Sequence, residues 1–181
     1  MNYTLLSGGV REDSSNNKLA RYTYLYLNSN TDLTIDLFDN LVEGVPFVSE
    51  KDDFLPEILI PTRASLINAH KVIVFSPIFN GGYAASLKNA LDWLSLSFDS
   101  YKYNELYKDK KIAIMSSVLG KGGNSLDARN MLGHQLIKYG FHLFEESYLF
   151  TNAEERMPQL DDESSIDYSG LANFLDKFIL F

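Results

Sequence analysis

Apolar and polar positions along this chain fall into alternating blocks of two periods. Short apolar runs at Tyr3 to Leu6, Leu33 to Leu37, Val72 to Phe75, Lys111 to Ser116 and Phe141 to Phe150 read as five strands. The last is expected to break at the Glu145-Glu146 pair. Between them, apolar residues recur at helical spacing. Leu19, Ala20, Thr23 and Leu27 mark a helix from about Asn16 to Asn28, with Ser14 or Ser15 as its N-cap. Arg63 to Ala69 reads as a second helix. Leu87, Ala90, Leu91 and Leu94 share one face of a third. Ala128, Met131, Leu132, Gln135, Leu136 and Tyr139 mark a fourth, with Gly140 where a terminating glycine belongs. Leu171, Phe174, Leu175, Phe178 and Ile179 mark the last. Pro46, Pro56 and Pro61 punctuate a long connection, and Thr151 to Asp167 reads as an acidic surface loop.

Strand and helix therefore alternate five times, which predicts a three-layer α/β sandwich around a five-stranded parallel sheet, with residues 1–181 as a single domain. Ligand-type loops follow the first, third and fourth strands. That suits strand order 2-1-3-4-5, in which those strands are neighbours and the topological switch point lies between the first and third.

Composition narrows the chemistry. At 181 residues and 45% hydrophobic, the chain can bury a full core. Its net charge of −8 argues against nucleic-acid or membrane-surface partners. With no cysteine it has no disulfide, thiolate metal site or cysteine nucleophile, and His70, His134 and His142 lack metal-ligand spacing. Apolar runs fall short of a membrane span, and a strand beginning by Tyr3 leaves no room for a signal peptide. A cytoplasmic protein without a metal is expected.

The candidate site is a set of three loops. After the first strand, Arg11 offers a permanent charge with forked donors, Ser14 and Asn16 offer neutral donors, and the following helix offers free backbone N–H groups and its positive dipole end. This suits a terminal phosphate. It is neither a G-x-x-x-x-G-K-[ST] loop nor G-x-G-x-x-G, and the residues alone also fit a well-capped surface turn. After the third strand, Ser76-Pro77 ends the apolar run and Asn80-Gly81-Gly82 tolerates positive φ. After the fourth comes a second glycine-rich loop, Ser117-Val118-Leu119-Gly120-Lys121-Gly122-Gly123.

Taken together these stretches resemble the NADPH-dependent FMN reductases, flavodoxin-like flavoproteins that include quinone, azo-dye and chromate reductases. The family's first loop, roughly G-S-x-R-x-x-S-x-N then Leu-Ala, is matched by Gly8-Gly9-Val10-Arg11-Glu12-Asp13-Ser14-Ser15-Asn16 with Leu19-Ala20 behind it. Its second signature, roughly P-E-Y-N-G-S then L-K-N-A-I-D-W-x-S, is matched by Pro77-Ile78-Phe79-Asn80-Gly81-Gly82 and Leu87-Lys88-Asn89-Ala90-Leu91-Asp92-Trp93-Leu94-Ser95. The resemblance implies that Arg11, Ser14, Ser15 and Asn16 hold the FMN phosphate. It implies that Pro77, Ile78, Phe79, Asn80 and Gly81 edge the isoalloxazine, and that Ser117, Gly120 and Gly122 flank the ring or ribityl chain. It further implies an enzyme that moves hydride from NAD(P)H to flavin and electrons onward to a small acceptor such as a quinone, azo compound, metal oxyanion or free flavin, without a catalytic nucleophile or base. A homodimer or homotetramer packed through the Leu87 to Ser95 helix is also implied.

Several positions depart from the pattern. Gly9 stands where the family has serine, Glu12 and Asp13 bring carboxylates to the phosphate end, and Ile78 and Phe79 replace an acid or glutamine and a tyrosine. Weaker FMN binding is therefore expected. The rival reading is a flavodoxin-type electron carrier, which the missing T-x-T-G-x-T loop disfavours. A receiver domain would need acidic residues where Ser7 and Ser76 stand. Trp93 reads as core or subunit interface, Lys88 and Asp92 as a surface pair, His134 and His142 as structural or surface residues, and Asp161 to Glu163 as solubilising surface. Tyr101, Tyr103 and Tyr107 fit either a cover for the flavin or a partner, or a solvated loop.

Overall fold

The computed structural model describes residues 1–49, 54–157 and 169–181. The elements run β1 (Asn2–Ser7), α1 (Ser15–Asn30), β2 (Thr34–Phe38), α2 (Ile60–Asn68), β3 (Lys71–Phe75), β4 (Ile78–Phe79), β5 (Gly82–Tyr83), α3 (Ala85–Ser95), β6 (Lys111–Ser117), α4 (Ser125–Tyr139), β7 (His142–Phe150), α5 (Ala153–Arg156) and α6 (Ser169–Leu180). Five strands form one parallel sheet in the order β2-β1-β3-β6-β7. This is the expected 2-1-3-4-5 order.

The period-two alternation of the central strands splits the core. Leu6, Val72, Val74, Ile112 and Ile114 face α2, α3 and α4, meeting Leu66, Leu87, Leu91, Leu94, Leu132 and Leu136. Tyr3, Leu5, Ile73, Phe75, Ala113 and Met115 face α1 and α6, meeting Leu19, Ala20, Leu27, Leu171, Phe174, Leu175 and Phe178. Both faces being covered, β1, β3 and β6 are buried almost throughout, and their centres are apolar, as in interior parallel strands. The break expected in the fifth strand is present: β7 slips register between Ile112↔Leu143 and Ile114↔Ser147, so Phe144, Glu145 and Glu146 stand opposite Ala113 alone.

Some expectations are corrected. The first helix begins at Ser15, with the Ser14 hydroxyl capping it by accepting from the Asn17 N–H. The second begins at Ile60, because Pro61 occupies its first turn, where a missing N–H costs nothing. Asn80 and Gly81, at φ 50° and 80°, form the tip of the antiparallel hairpin β4–β5 rather than an open loop. Tyr107 covers neither flavin nor partner: it is fully buried, its hydroxyl donating to the Leu91 carbonyl at 2.7 Å. Met131 is exposed. The stretch after β7 is not all surface, since Ala153 and Met157 are buried; Asp161 to Glu163 lie outside the described residues. Trp93 is core, its Nε1 donating to the Pro46 carbonyl at 2.7 Å. The α3 helix is largely consumed inside the chain, leaving Ala85, Ser86, Lys88 and Asp92 as its accessible edge. Lys88 and Asp92 pair at 2.6 Å, and the Tyr139 hydroxyl also donates to Asp92, at 2.5 Å, so the pair is a joint between α3 and α4.

Burial pushes the Tyr3 phenol up to about 12. Burial, and next the nearby Asp92, raises Tyr107; burial and the hydrogen bond to Asp92 raise Tyr139. A raised phenol favours the folded state below the unfolded value of 10, and that advantage disappears as the pH climbs toward the folded value. Lysines 71 and 110, lowered by burial, act in the opposite sense only below their ordinary value of 10.5. Stability should therefore fall above pH 10.5, by as much as about 1.4 kcal/mol per pH unit for each phenol that ionises on unfolding. Denaturant titrations at successive pH values check the slope. The phenolate absorbance of these tyrosines should rise together with unfolding rather than before it.

Candidate active site

The site is built at the carboxyl ends of β1, β3 and β6. Backbone bonds start the three loops side by side: the Gly8 N–H donates to the Phe75 carbonyl at 2.8 Å, and the Ser76 N–H to the Met115 carbonyl at 2.9 Å. Asn16 then crosses from α1 to the third loop. Its Nδ2 donates to the Ser117 carbonyl at 3.0 Å and its Oδ1 accepts from the Ser117 N–H at 2.9 Å. The third loop is in turn anchored to the chain after β7, with the Asn152 N–H donating to the Gly120 carbonyl at 2.8 Å and the Ala153 N–H to the Val118 carbonyl at 3.1 Å.

Asn17 shapes the first loop. It accepts from the Ser7 hydroxyl at 2.5 Å and donates through Nδ2 to the Arg11 carbonyl at 2.8 Å. Its carboxamide occupies the space a side chain at position 9 would need: a Cβ on Gly9 would lie 2.1 Å from Ser14 Oγ and 2.2 Å from Asn17 Oδ1. The departure at Gly9 is thus matched to Asn17 and Ser14.

The three loops enclose a cleft of about 710 Å³, of the size that takes a cofactor. Arg11, Ser14, Ser15 and Asn16 line it from the first loop, Pro77, Ile78 and Phe79 from the hairpin, and Ser117 from the third loop. Asn80, Gly81, Gly120 and Gly122 do not line it. Asn80 and Gly81 turn the hairpin, and a Cβ on Gly122 would point into the body of the protein, 3.0 Å from Leu149. Asn16 lines the cleft, but both polar atoms of its side chain are engaged by Ser117. Further lining residues are Val10, Asp13, Lys18, Val118, Leu119, Ala153, Glu154 and Met157. The last three come from the short α5 segment, which carries no loop motif to mark it.

One end of the cleft is polar. There the Ser15 and Asn16 N–H groups begin a 16-residue helix and have no partner within it. Arg11 stands over this end, 78% exposed, with its Nε 3.8 Å from the equally exposed Asp13. The other walls are apolar: Ile78, Phe79, Val118, Leu119 and Met157. Ser117 also lines the cleft, and its Oγ is buried and without a hydrogen-bond partner among the described residues. A buried hydroxyl left unpaired costs free energy, so its position on the cleft wall marks a place for a polar ligand atom. An anion-binding helix end, flat apolar walls and one unpaired hydroxyl fit a phosphorylated planar cofactor.

The comparisons with known proteins agree with this geometry. The family model of the NADPH-dependent FMN reductases matches residues 1–155. The chain belongs to that family. It is a flavin-dependent oxidoreductase, and the family's cofactors are FMN and NAD(P)H. Among curated proteins it is similar to a 2-hydroxy-1,4-benzoquinone reductase of a Burkholderia species, at 25% identity over 94% of this chain and 90% of the relative. It is also 30% identical to an NADPH:quinone oxidoreductase of Arabidopsis thaliana over 65% of this chain and 58% of the relative. Among solved structures the fold matches an NADH:FMN oxidoreductase with a TM-score of 0.74 at 20% identity, covering 99% of this chain and 88% of that one. The flavoenzyme FerB of Paracoccus denitrificans matches with a TM-score of 0.69 at 20% identity, over 98% and 94% of the two chains. Among the described residues no helix is long and apolar enough to cross a membrane.

The close fit around position 9 gives a test. Gly9→Ser, which restores the family's residue, should lower unfolding stability by about 1–3 kcal/mol by overpacking. Replacing Asn17 by Ala in the same chain should recover part of that loss. Urea unfolding of both variants measures it.

Proposed function

We propose that this family member oxidises NAD(P)H with FMN held in the three-loop cleft and delivers the electrons to a small acceptor of the quinone type. When bound, FMN supplies the hydride-accepting and electron-donating chemistry. The chain's own residues bind, orient and shield. In this reading Arg11, the Ser14 hydroxyl and the N–H groups that open α1 hold the phosphate. Ile78 and Phe79, backed by the buried Pro77, form one wall for the ring, and Val118, Leu119 and Met157 form another. The Ser117 hydroxyl donates to a polar atom of the cofactor. Asn16 acts as a positioning residue: it fixes the spacing of the phosphate end from the third loop. Asn80, Gly81, Gly120 and Gly122 contribute through backbone shape.

The observation that carries this reading is the unpaired Ser117 hydroxyl, buried in the wall of a cleft that all three loops build. The acceptor class rests on the relatives, a 2-hydroxy-1,4-benzoquinone reductase and an NADPH:quinone oxidoreductase. A cytoplasmic homodimer or homotetramer also belongs to the proposal. Its contact would use the Lys88–Asp92 edge of α3 together with the exposed Leu126, Met131 and Ile137 of α4.

Adding the protein to FMN should quench flavin fluorescence saturably, and Arg11→Ala should weaken that binding about tenfold by removing a charge-assisted contact. Unchanged affinity would remove Arg11 from the phosphate site. Steady-state NADPH oxidation should proceed with a benzoquinone; turnover with free FMN but with no quinone would place the protein among flavin-reducing enzymes instead. Sedimentation equilibrium should give a mass that is a multiple of the 20.5 kDa chain.

A further inference from the structure

We infer that the cleft holds flavin mainly by its ring and ribityl chain, with Asp13 setting a weak preference for the phosphate, so that the flavin is an exchangeable partner rather than a permanently held group. This rests on the FMN-binding reading of the same cleft. Four observations carry it.

The charges that line the cleft cancel. Arg11 and Lys18 bring two positive charges; Asp13 and Glu154 bring two negative ones. A phosphate monoester near −2 meets no net positive field there, and the chain as a whole is at −8. Second, Arg11 is shared. Its guanidinium lies 3.8 Å from Asp13, both side chains are more than three-quarters exposed, and among the described residues no other side chain pairs with the guanidinium. Third, two of the loop's neutral side chains are already engaged, which leaves the Ser14 hydroxyl and the first N–H groups of α1 as its neutral donors. The Ser7 hydroxyl donates to Asn17, and both polar atoms of Asn16 serve Ser117. Fourth, position 9 has no hydroxyl and no room for one.

The ring-binding part of the cleft shows the opposite economy. Its walls are the apolar Ile78, Phe79, Val118, Leu119 and Met157, and Ser117, whose hydroxyl has no partner among the described residues, lines the same cleft. Those features serve riboflavin as well as they serve FMN. Discrimination between the two is therefore left to Arg11 and the helix end, with Asp13 acting against them.

Fluorescence-quenching titrations with FMN and with riboflavin, on the wild-type chain and on Asp13→Asn and Glu154→Gln, test the inference. The wild-type chain should bind the two flavins within about tenfold of each other, since the phosphate's gain is offset by the local carboxylates. Asp13→Asn should tighten FMN about three- to tenfold and leave riboflavin unchanged, and the gain should shrink as salt is raised. Glu154→Gln should act in the same direction. Dialysis should strip FMN from the wild-type chain faster than from Asp13→Asn. The inference is overturned if Asp13→Asn leaves FMN affinity unchanged, or if it shifts FMN and riboflavin equally. Binding of neither flavin by any of the three proteins would instead defeat the FMN reading on which the inference stands.

Discussion

The pairing of the Asn16 carboxamide with the backbone of Ser117 holds the functional end of this protein together. Donor and acceptor on one side chain satisfy the N–H and C=O of a residue 101 positions away, at 2.9 and 3.0 Å, in a place closed to water. Buried backbone groups must be paired, so the third loop cannot drift from the first without leaving both unsatisfied. The spacing of the α1 N-terminus from Ser117 is thereby set by one residue. A cofactor that spans the two ends meets a preformed frame and need not pay to order it.

The frame stands on a sheet whose central strands are buried on both faces. Polar side chains buried in such strands carry a cost when unpaired; several in the sheet have partners, while the Tyr3, Ser116 and Ser117 hydroxyls have none among the described residues. Lys71, at 3% exposure, gives its ammonium to the Phe178 and Ile179 carbonyls, the last turn of α6. Thr4 and Ser65 share a hydrogen bond at 2.7 Å that continues to Asp36. Ser7 closes β1 by donating to Asn17. Lys71, Thr4 and Ser7 thus tie strands to the helix or loop beyond them, and Ser7 links the sheet directly to the first loop.

In the first loop, backbone course and side-chain charge rest on different residues. Its backbone course is kept by Asn17, the Ser14 cap and the Gly8 approach to β3, contacts that leave the side chains at 11, 12 and 13 free to vary. Carboxylates at Glu12 and Asp13 disturb no packing, because both are exposed. They act through charge alone. The architecture of the cleft and the strength of its hold on an anion are therefore separable properties.

The alternation of periods along the chain was enough to determine the five strands, because buried parallel strands and amphipathic helices impose their repeat directly on residue type; their order was legible from which strands carry ligand-type loops, and the β7 irregularity from the Glu145-Glu146 pair. Arg11 and Ser14 were suggested by the chemistry of a strand-end loop before a helix, and Ser15, Pro77, Ile78, Phe79 and Ser117 by the family resemblance; all seven line one cleft. Tertiary structure decided the rest. It committed Asn16 to Ser117, filled the space at Gly9 with Asn17, turned Asn80 and Gly81 into a hairpin tip outside the cleft, and brought Ala153, Glu154 and Met157 to its wall. None of these has a periodicity or a local motif. They depend on which distant group happens to fill or bond to a given point in space, and that is fixed only when the layers close on one another.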